Sequence, residues 1–204
     1  MGIILTLMML CPKLATGQNT LTEGCDFGAW KDVQVVGNFG KAYLVGRAEH
    51  RSNNTFKSTE CWFMVACGGY RLTPWLSSDV SYEFWNIGGR AFHKAVLGAS
   101  GTLREGGLSV TLREKYELCL SDGGYVGNTL RSRLRAQYSP QSGALKPYLM
   151  AEIFTWDTWQ RSLYYVGTDI RLGGCCSLDL FYLLHLPNGA RAVHTLGAGI
   201  NFNF

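Results

Sequence analysis

Proline is scarce in this chain, at 5 of 204 residues, and charged residues make up only 17%. Beyond residue 18 no apolar run approaches the ~20 residues that a membrane helix needs. The longest runs from Cys61 to Cys67, so any mature chain in a membrane must cross it as a barrel. Lys and Arg are spread along the chain and not gathered into a stripe, and with a net charge of only +4 this argues against a nucleic-acid partner. The 7 Cys form no disulfide scaffold. Cys61 and Cys67, six apart in a strand, share a face but lie about 20 Å from each other. They read as small apolar side chains on a greasy face. Cys175-Cys176 sits in a Gly-Gly-Cys-Cys turn without a neighbouring His, which gives no metal signature.

What is present is 25 Gly, 13% aromatics and 47% hydrophobic residues. That mixture fits one sizeable domain of many strands joined by tight turns. MGIILTLMML followed by Ala15-Thr16-Gly17-Gln18 reads as a secretory signal over 1–17, cleaved after Gly17. Leu10 before Cys11 argues against a lipidated cysteine there. Residues 18–40 are expected to be an N-terminal extension or a first strand, and 41–204 the barrel.

From Lys41 the chain divides into about ten alternating segments, the length expected of tilted membrane strands. Between Asn128 and Ser139, Leu130, Ser132, Leu134, Ala136 and Tyr138 take one face, and Arg131, Arg133, Arg135 and Gln137 the other. Successive side chains of a strand point to opposite sides, and no helical stripe fits that order. Likewise Leu44 and Ala48 oppose Arg47 and Glu49, and Val80, Tyr82 and Phe84 oppose Asp79, Ser81 and Glu83. Val166 and Ile170 oppose Asp169 and Arg171, while Leu178, Leu180 and Tyr182 oppose Asp179, Phe181 and His185. Only Leu108 to Leu118 is imperfect, because Glu114 falls in phase with Val110 and Leu112. A bulge or an interfacial position is expected there.

The expected fold is a closed antiparallel transmembrane β-barrel, ten strands favoured and twelve the alternative, since single-chain barrels close on an even number. Residues Phe27 to Gly37 could supply a further strand. Tyr70, Trp75, Trp85, Tyr138, Trp156 and Trp159 fall near strand ends, where amphipathic rings suit the two membrane interfaces. Phe202 and Phe204 close the last segment and read as a C-terminal assembly signal for the barrel-assembly machinery. Alternation alone does not say which face is inside, since a soluble lipocalin-like barrel has the same period. The polar face here sets Arg against Asp and Glu among Tyr, Ser and Asn, the mixture of a packed polar lumen. Together with the signal segment this favours an outer-membrane placement in contact with lipid.

LRSRLRAQYSPQSGALKPYLMAEIFTW (Leu130 to Trp156), YYVGTDIRL (Tyr164 to Leu172), SLDLFYLLHL (Ser177 to Leu186) and HTLGAGINFNF (His194 to Phe204) resemble a family of exported bacterial proteins. That family, a domain of unknown function, is regarded as outer-membrane barrels. The resemblance covers most of Trp30 to Phe204 and implies fold and location only.

For chemistry the candidates are charged residues sharing the lumen: Arg47, Glu49, Glu83, Arg131, Arg133, Arg135, Glu152, Asp169, Arg171 and Asp179. Either they form a salt-bridged plug, or they line a narrow pore that attracts anions and passes small solutes. His185 and His194 flank an outer loop, as the base of a membrane-embedded lipid hydrolase would, but their phases set one inward and the other outward, and no Ser is marked as a nucleophile. His50 and His93 read as loop or strand-end residues. Neither an enzyme nor a cofactor is expected.

Overall fold

The computed structural model describes residues 26–53, 57–141, 143–156 and 158–204. The expected signal segment and Cys25 lie outside them. Every described element is a strand: β1 (Asp26–Phe39), β2 (Ala42–Asn53), β3 (Ser58–Arg71), β4 (Leu76–Ile87), β5 (Arg90–Glu105), β6 (Leu108–Ser121), β7 (Gly124–Tyr138), β8 (Leu145–Trp156), β9 (Thr158–Gly173), β10 (Cys176–Pro187) and β11 (Val193–Asn203). Each pairs antiparallel with the next, and β1 meets β11 to close the barrel.

The tight turns follow from their glycines. Ile87 pairs with Arg90 and Glu105 with Leu108, leaving the two-residue loops Gly88-Gly89 and Gly106-Gly107. All four glycines have positive φ, between 54° and 85°. That is the backbone of a type I′ turn, whose twist matches that of the flanking strands.

The strand count corrects the expected ten or twelve. There are eleven, because Phe27 to Gly37 lies within a true strand that pairs on both edges. In a meander with an odd count the first and last strands run the same way, so the closing pair β1–β11 must be parallel. Phe204 secures this seam: its N–H donates to the Val36 carbonyl at 2.8 Å, and its own carbonyl accepts from the Asn38 N–H at 2.9 Å. Consequently the start of β1 and the end of β11 lie at opposite ends of the barrel. The end bearing Phe204 also holds the turns after Phe39, Arg71, Glu105, Tyr138 and Gly173, and the connections after Asn53, Ile87, Ser121, Trp156 and Pro187 lie at the other. We call these the turn end and the loop end.

The register keeps one face of every strand outside. Val33, Leu44, Met64, Val80, Leu97, Leu112, Leu130, Leu149, Val166, Leu180, Leu196 and Ile200 are all exposed, whereas Glu49, Asp79, Glu83, Glu117 and Glu152 are buried. The core of the molecule is therefore its polar lumen. No bulge occurs at Glu114: the β5–β6–β7 ladder runs unbroken past it, and its carboxylate accepts from the Ser132 hydroxyl on the outer face at 2.6 Å. The irregularity in this region comes later, between Cys119 and Leu120. Irregularities also fall near strand ends after Arg51, Phe154 and Cys176, where bulges commonly terminate or re-aim a ladder.

Inside, large side chains are matched to glycines directly across the ladder. Tyr43 faces Gly69, Asp79 faces Gly98, Tyr148 faces Gly167, Phe181 faces Gly197 and Asp32 faces Gly199. A Cβ on any of these glycines would come within 3.0 Å of the partner side chain. Missing side chains thus make the room that the lumen's largest groups occupy.

Candidate functional site

Toward the loop end the lumen is crossed by an aromatic layer. Phe63 and Trp85 stack with ring centroids 3.9 Å apart. The Arg51 guanidinium lies 3.6 Å from the Trp30 ring centroid and 5.1 Å from that of Phe63. Trp30 in turn meets Tyr165 and Phe181 edge-on. Leu183, Leu163 and Phe154 complete the layer from the opposite wall, and all three are buried. A cation held against aromatic faces away from water gains about 2 kcal/mol, and Glu49 fixes this one, accepting from Arg51 Nε at 2.6 Å.

Below that layer lies a belt of ion pairs. Arg47 meets Asp32 at 3.2 Å and also meets Glu49. Lys115 meets Glu83 at 3.2 Å, and Lys94 meets Glu117 at 2.9 Å. Arg131 reaches Glu152 at 2.8 Å and Glu117 at 3.6 Å, and Arg133 also binds Glu152. Glu152 has no solvent exposure and accepts from a third residue, through the Tyr165 hydroxyl. Nearer the turn end, Arg113 meets Asp79 at 2.9 Å and Arg135 meets Asp169 at 2.7 Å. Tyr148 donates to Asp179 at 2.9 Å.

Between the aromatic layer and the turn end the side chains leave a cavity of about 760 Å³. Its inner limit includes Trp30, Phe63, Trp85 and Tyr165, and its mouth includes Gly174, Cys175, Asn201 and Asn203. The cavity therefore reaches from the turn end to the rings, a chamber blind on the ring side.

The ten expected lumen charges all reach this interior. Arg47, Glu49, Glu83, Arg131, Arg133, Arg135, Asp169, Arg171 and Asp179 line the chamber, and Glu152 lies behind it in the wall. The expected aromatic girdle is only partly realised. Tyr70, Trp75 and Tyr138 are about half exposed near the turn end. Trp159 lies outside too, its indole donating to Ser162 at 2.8 Å, because the extra residue opposite Phe154/Thr155 shifts its phase. Trp85 instead faces inward, buried on Phe63, with its indole donating to Glu83. Trp156 shares the phase of Glu152 and Phe154 and lies over Gly127. Both sit near strand ends in sequence, but strand phase outranks proximity to an end. Phe202 continues the outer phase of Ile200, and Phe204 is exposed.

Several lumen residues escaped the sequence reading: Asp32, Lys94, Arg113, Lys115 and Glu117; Asp79 had been set on the polar face with Glu83 but not among the candidates. For three of them the signal was available, since Arg113, Lys115 and Glu117 alternate cleanly once Glu114 is accepted as outward. The cysteines are also corrected. Cys61 is buried beside Phe63 and Trp85, and Cys67 lines the chamber, so both are inside and not on the apolar exterior. Cys61, Cys67, Cys119, Cys175 and Cys176 are all free thiols.

His185 faces inward, and its Nε2 has no partner among the described residues. His194 faces outward and bonds the Tyr182 hydroxyl. The two imidazoles therefore stand on opposite faces of the wall and share no site. His93 pairs outside with Tyr82 at 2.5 Å, and His50 lies 3.2 Å from the Thr59 hydroxyl. No group of three or more Cys, His, Asp or Glu placed to hold a metal ion occurs among the described residues. Comparison with protein-family models finds no match, and comparison with curated proteins finds none either.

Proposed function

We propose that this protein is an outer-membrane β-barrel of the bacterial envelope, structural in type, whose polar interior is blocked toward one end. The observation that carries the proposal is the inverted distribution of polarity. Large apolar side chains cover the outside while carboxylates with 0–4% exposure fill the inside. Thirty large hydrophobic residues among those described are exposed, spread over every strand of the barrel, where soluble monomers rarely expose contiguous apolar patches beyond a few hundred Å². Lipid removes the cost of that exposure. Strands of 11 to 16 residues, tilted by about 45°, also match the thickness of a bilayer.

The bacterial placement rests on the signal-like segment over 1–17 and the resemblance of the C-terminal strands to an exported barrel family. The odd strand count departs from the even rule for bacterial single-chain barrels and has the parity of the nineteen-stranded mitochondrial barrel. A soluble barrel carrying an apolar ligand inside is disfavoured because the chamber among the described residues is lined mainly by charged and polar side chains. A hydrolase built on His185 and His194 is disfavoured by their opposite faces.

Two measurements test the reading. The mature chain should require detergent or lipid for recovery, and should fractionate with outer membranes. In planar bilayers it should give a closed baseline, because the aromatic layer interrupts the water path. Recovery in the aqueous phase without detergent would refute the membrane placement, and steady conductance would refute the block.

A further inference from the structure

We propose that the blind chamber is a binding site for a compact multivalent oxyanion, such as a pyrophosphate or a small phosphate ester, that enters from the turn end. This goes beyond the membrane reading and does not depend on it, since the barrel forms the chamber whatever solvent surrounds it.

The first argument is the register of β6 on β7. Arg113 stands directly opposite Arg133, and Lys115 directly opposite Arg131. Opposed side chains in antiparallel strands have Cβ atoms only about 5 Å apart, and like charges there are destabilising. Two such pairs in succession build a cationic quartet on one wall. The wall's carboxylates only partly relieve it, by drawing its members apart: Arg113 toward Asp79, Lys115 toward Glu83, Arg131 and Arg133 toward Glu152.

The second argument is depth. The side chains of Arg47, Arg113, Arg133 and Arg135 keep 26–29% exposure. By contrast, the carboxylates of Glu49, Asp79 and Glu152 keep 0–1%. Anions are sunk in the wall and cations stand proud of it, so a solute in the chamber meets guanidinium edges first. Asp169, at 25% exposure, and the partly exposed Asp32 and Asp179 are exceptions among the anions, and Lys115 and Arg131, at 12% and 14%, lie deeper than those four arginines.

The third is unmet hydrogen-bonding capacity. Arg47, Arg113 and Arg135 each bond their carboxylates through a single Nη2, although a guanidinium carries five donors. Their Nε atoms are sealed from the chamber and have no partner among the described residues, so the capacity open to a solute lies on the Nη atoms. Nine Lys and Arg line the chamber against five Asp and Glu, and adding the sunken Asp79, Glu117 and Glu152 still leaves the cations in excess. Forked guanidinium donors match the oxygens of a phosphate. The lining reaches the turn end at Gly174, Cys175 and Asn203, so the ligand proposed is a free solute that enters there.

Native thiols allow a direct test on the unaltered chain. Cys67 lies on the chamber wall and Cys175 at its mouth. In detergent solution, an anionic methanethiosulfonate should label Cys67 at least ten-fold faster than a cationic one of similar size, with sites assigned by mass spectrometry. Millimolar pyrophosphate should slow that labelling at least five-fold, and sodium chloride of equal ionic strength should not. The double variant Arg113→Gln/Arg133→Gln should lose both effects; if it does not fold, the two results on the unaltered chain decide alone. Equal or faster labelling by the cationic reagent, or labelling indifferent to pyrophosphate, would overturn the proposal. Partition into membranes is a separate measurement, so failure here leaves the membrane reading standing.

Discussion

Glu152 is the residue on which most of the interior converges, and its replacement gives the sharpest test of how the lumen is held. Its carboxylate is wholly out of solvent and receives Arg131 at 2.8 Å, Arg133, and the Tyr165 hydroxyl. With charge centres about 4 Å apart and an effective dielectric near 20, each arginine is attracted by roughly 4 kcal/mol. Desolvation of the three ions offsets much of this, so the intact triad contributes little net stability. Removing only the anion is different. Glu152→Gln keeps the shape but leaves two guanidiniums side by side on β7, opposite Lys115 and Arg113, and breaking a buried pair this way costs about 3–5 kcal/mol. Asp169→Asn is the internal control, because Asp169 is 25% exposed and water can take over its part. Its loss should cost no more than about 1 kcal/mol. Equilibrium urea unfolding in lipid vesicles, followed by tryptophan fluorescence, reads both losses from the transition midpoints at unchanged slope. If Glu152→Gln stayed within about 1 kcal/mol of the parent, or Asp169→Asn cost as much, the argument from burial would be wrong.

Two further outcomes follow from the register. Val33 pairs with Ile200 across the parallel seam, both on the outer face. In a cysteine-free background, Val33→Cys with Ile200→Cys should oxidise to an internal disulfide, since opposed strand residues lie within the Cα spacing such a bond needs; a ten-stranded barrel closing on β2 would give none. At Gly197 an added Cβ would fall 1.9 Å from the Phe181 ring, so Gly197→Ala should destabilise by about 1–3 kcal/mol through overpacking. Adding Phe181→Ala should make the two changes strongly non-additive in the same unfolding assay, and simple additivity would mean that the ring does not occupy that space.

Much of this molecule was legible in its sequence. Period-two alternation from Lys41 onward separated Arg47 and Glu49 from Leu44 and Ala48, and Arg131, Arg133 and Arg135 from Leu130 and Leu134, and the structure keeps each set together. The pairs Gly88-Gly89 and Gly106-Gly107 carry a local hairpin signal as well, because few residues other than glycine accept two successive positive φ angles. These features are local: each is decided by a residue and its near neighbours along the chain.

What the chain alone left open was non-local. Alternation is unchanged when inside and outside are exchanged, and unchanged when one more strand is added at an edge. The eleventh strand therefore became visible only when β1 met β11. Ion pairs such as Asp79 on β4 with Arg113 on β6, or Asp169 on β9 with Arg135 on β7, reach over an intervening strand. Only closure and curvature bring such strands within reach. The pairing of Phe181 with Gly197 and Asp32 with Gly199 depends on register, which a shift of one residue would destroy. Local stereochemistry determined the strands and their two faces, and barrel closure decided which charges meet, where the rings block the lumen and what room is left for a solute.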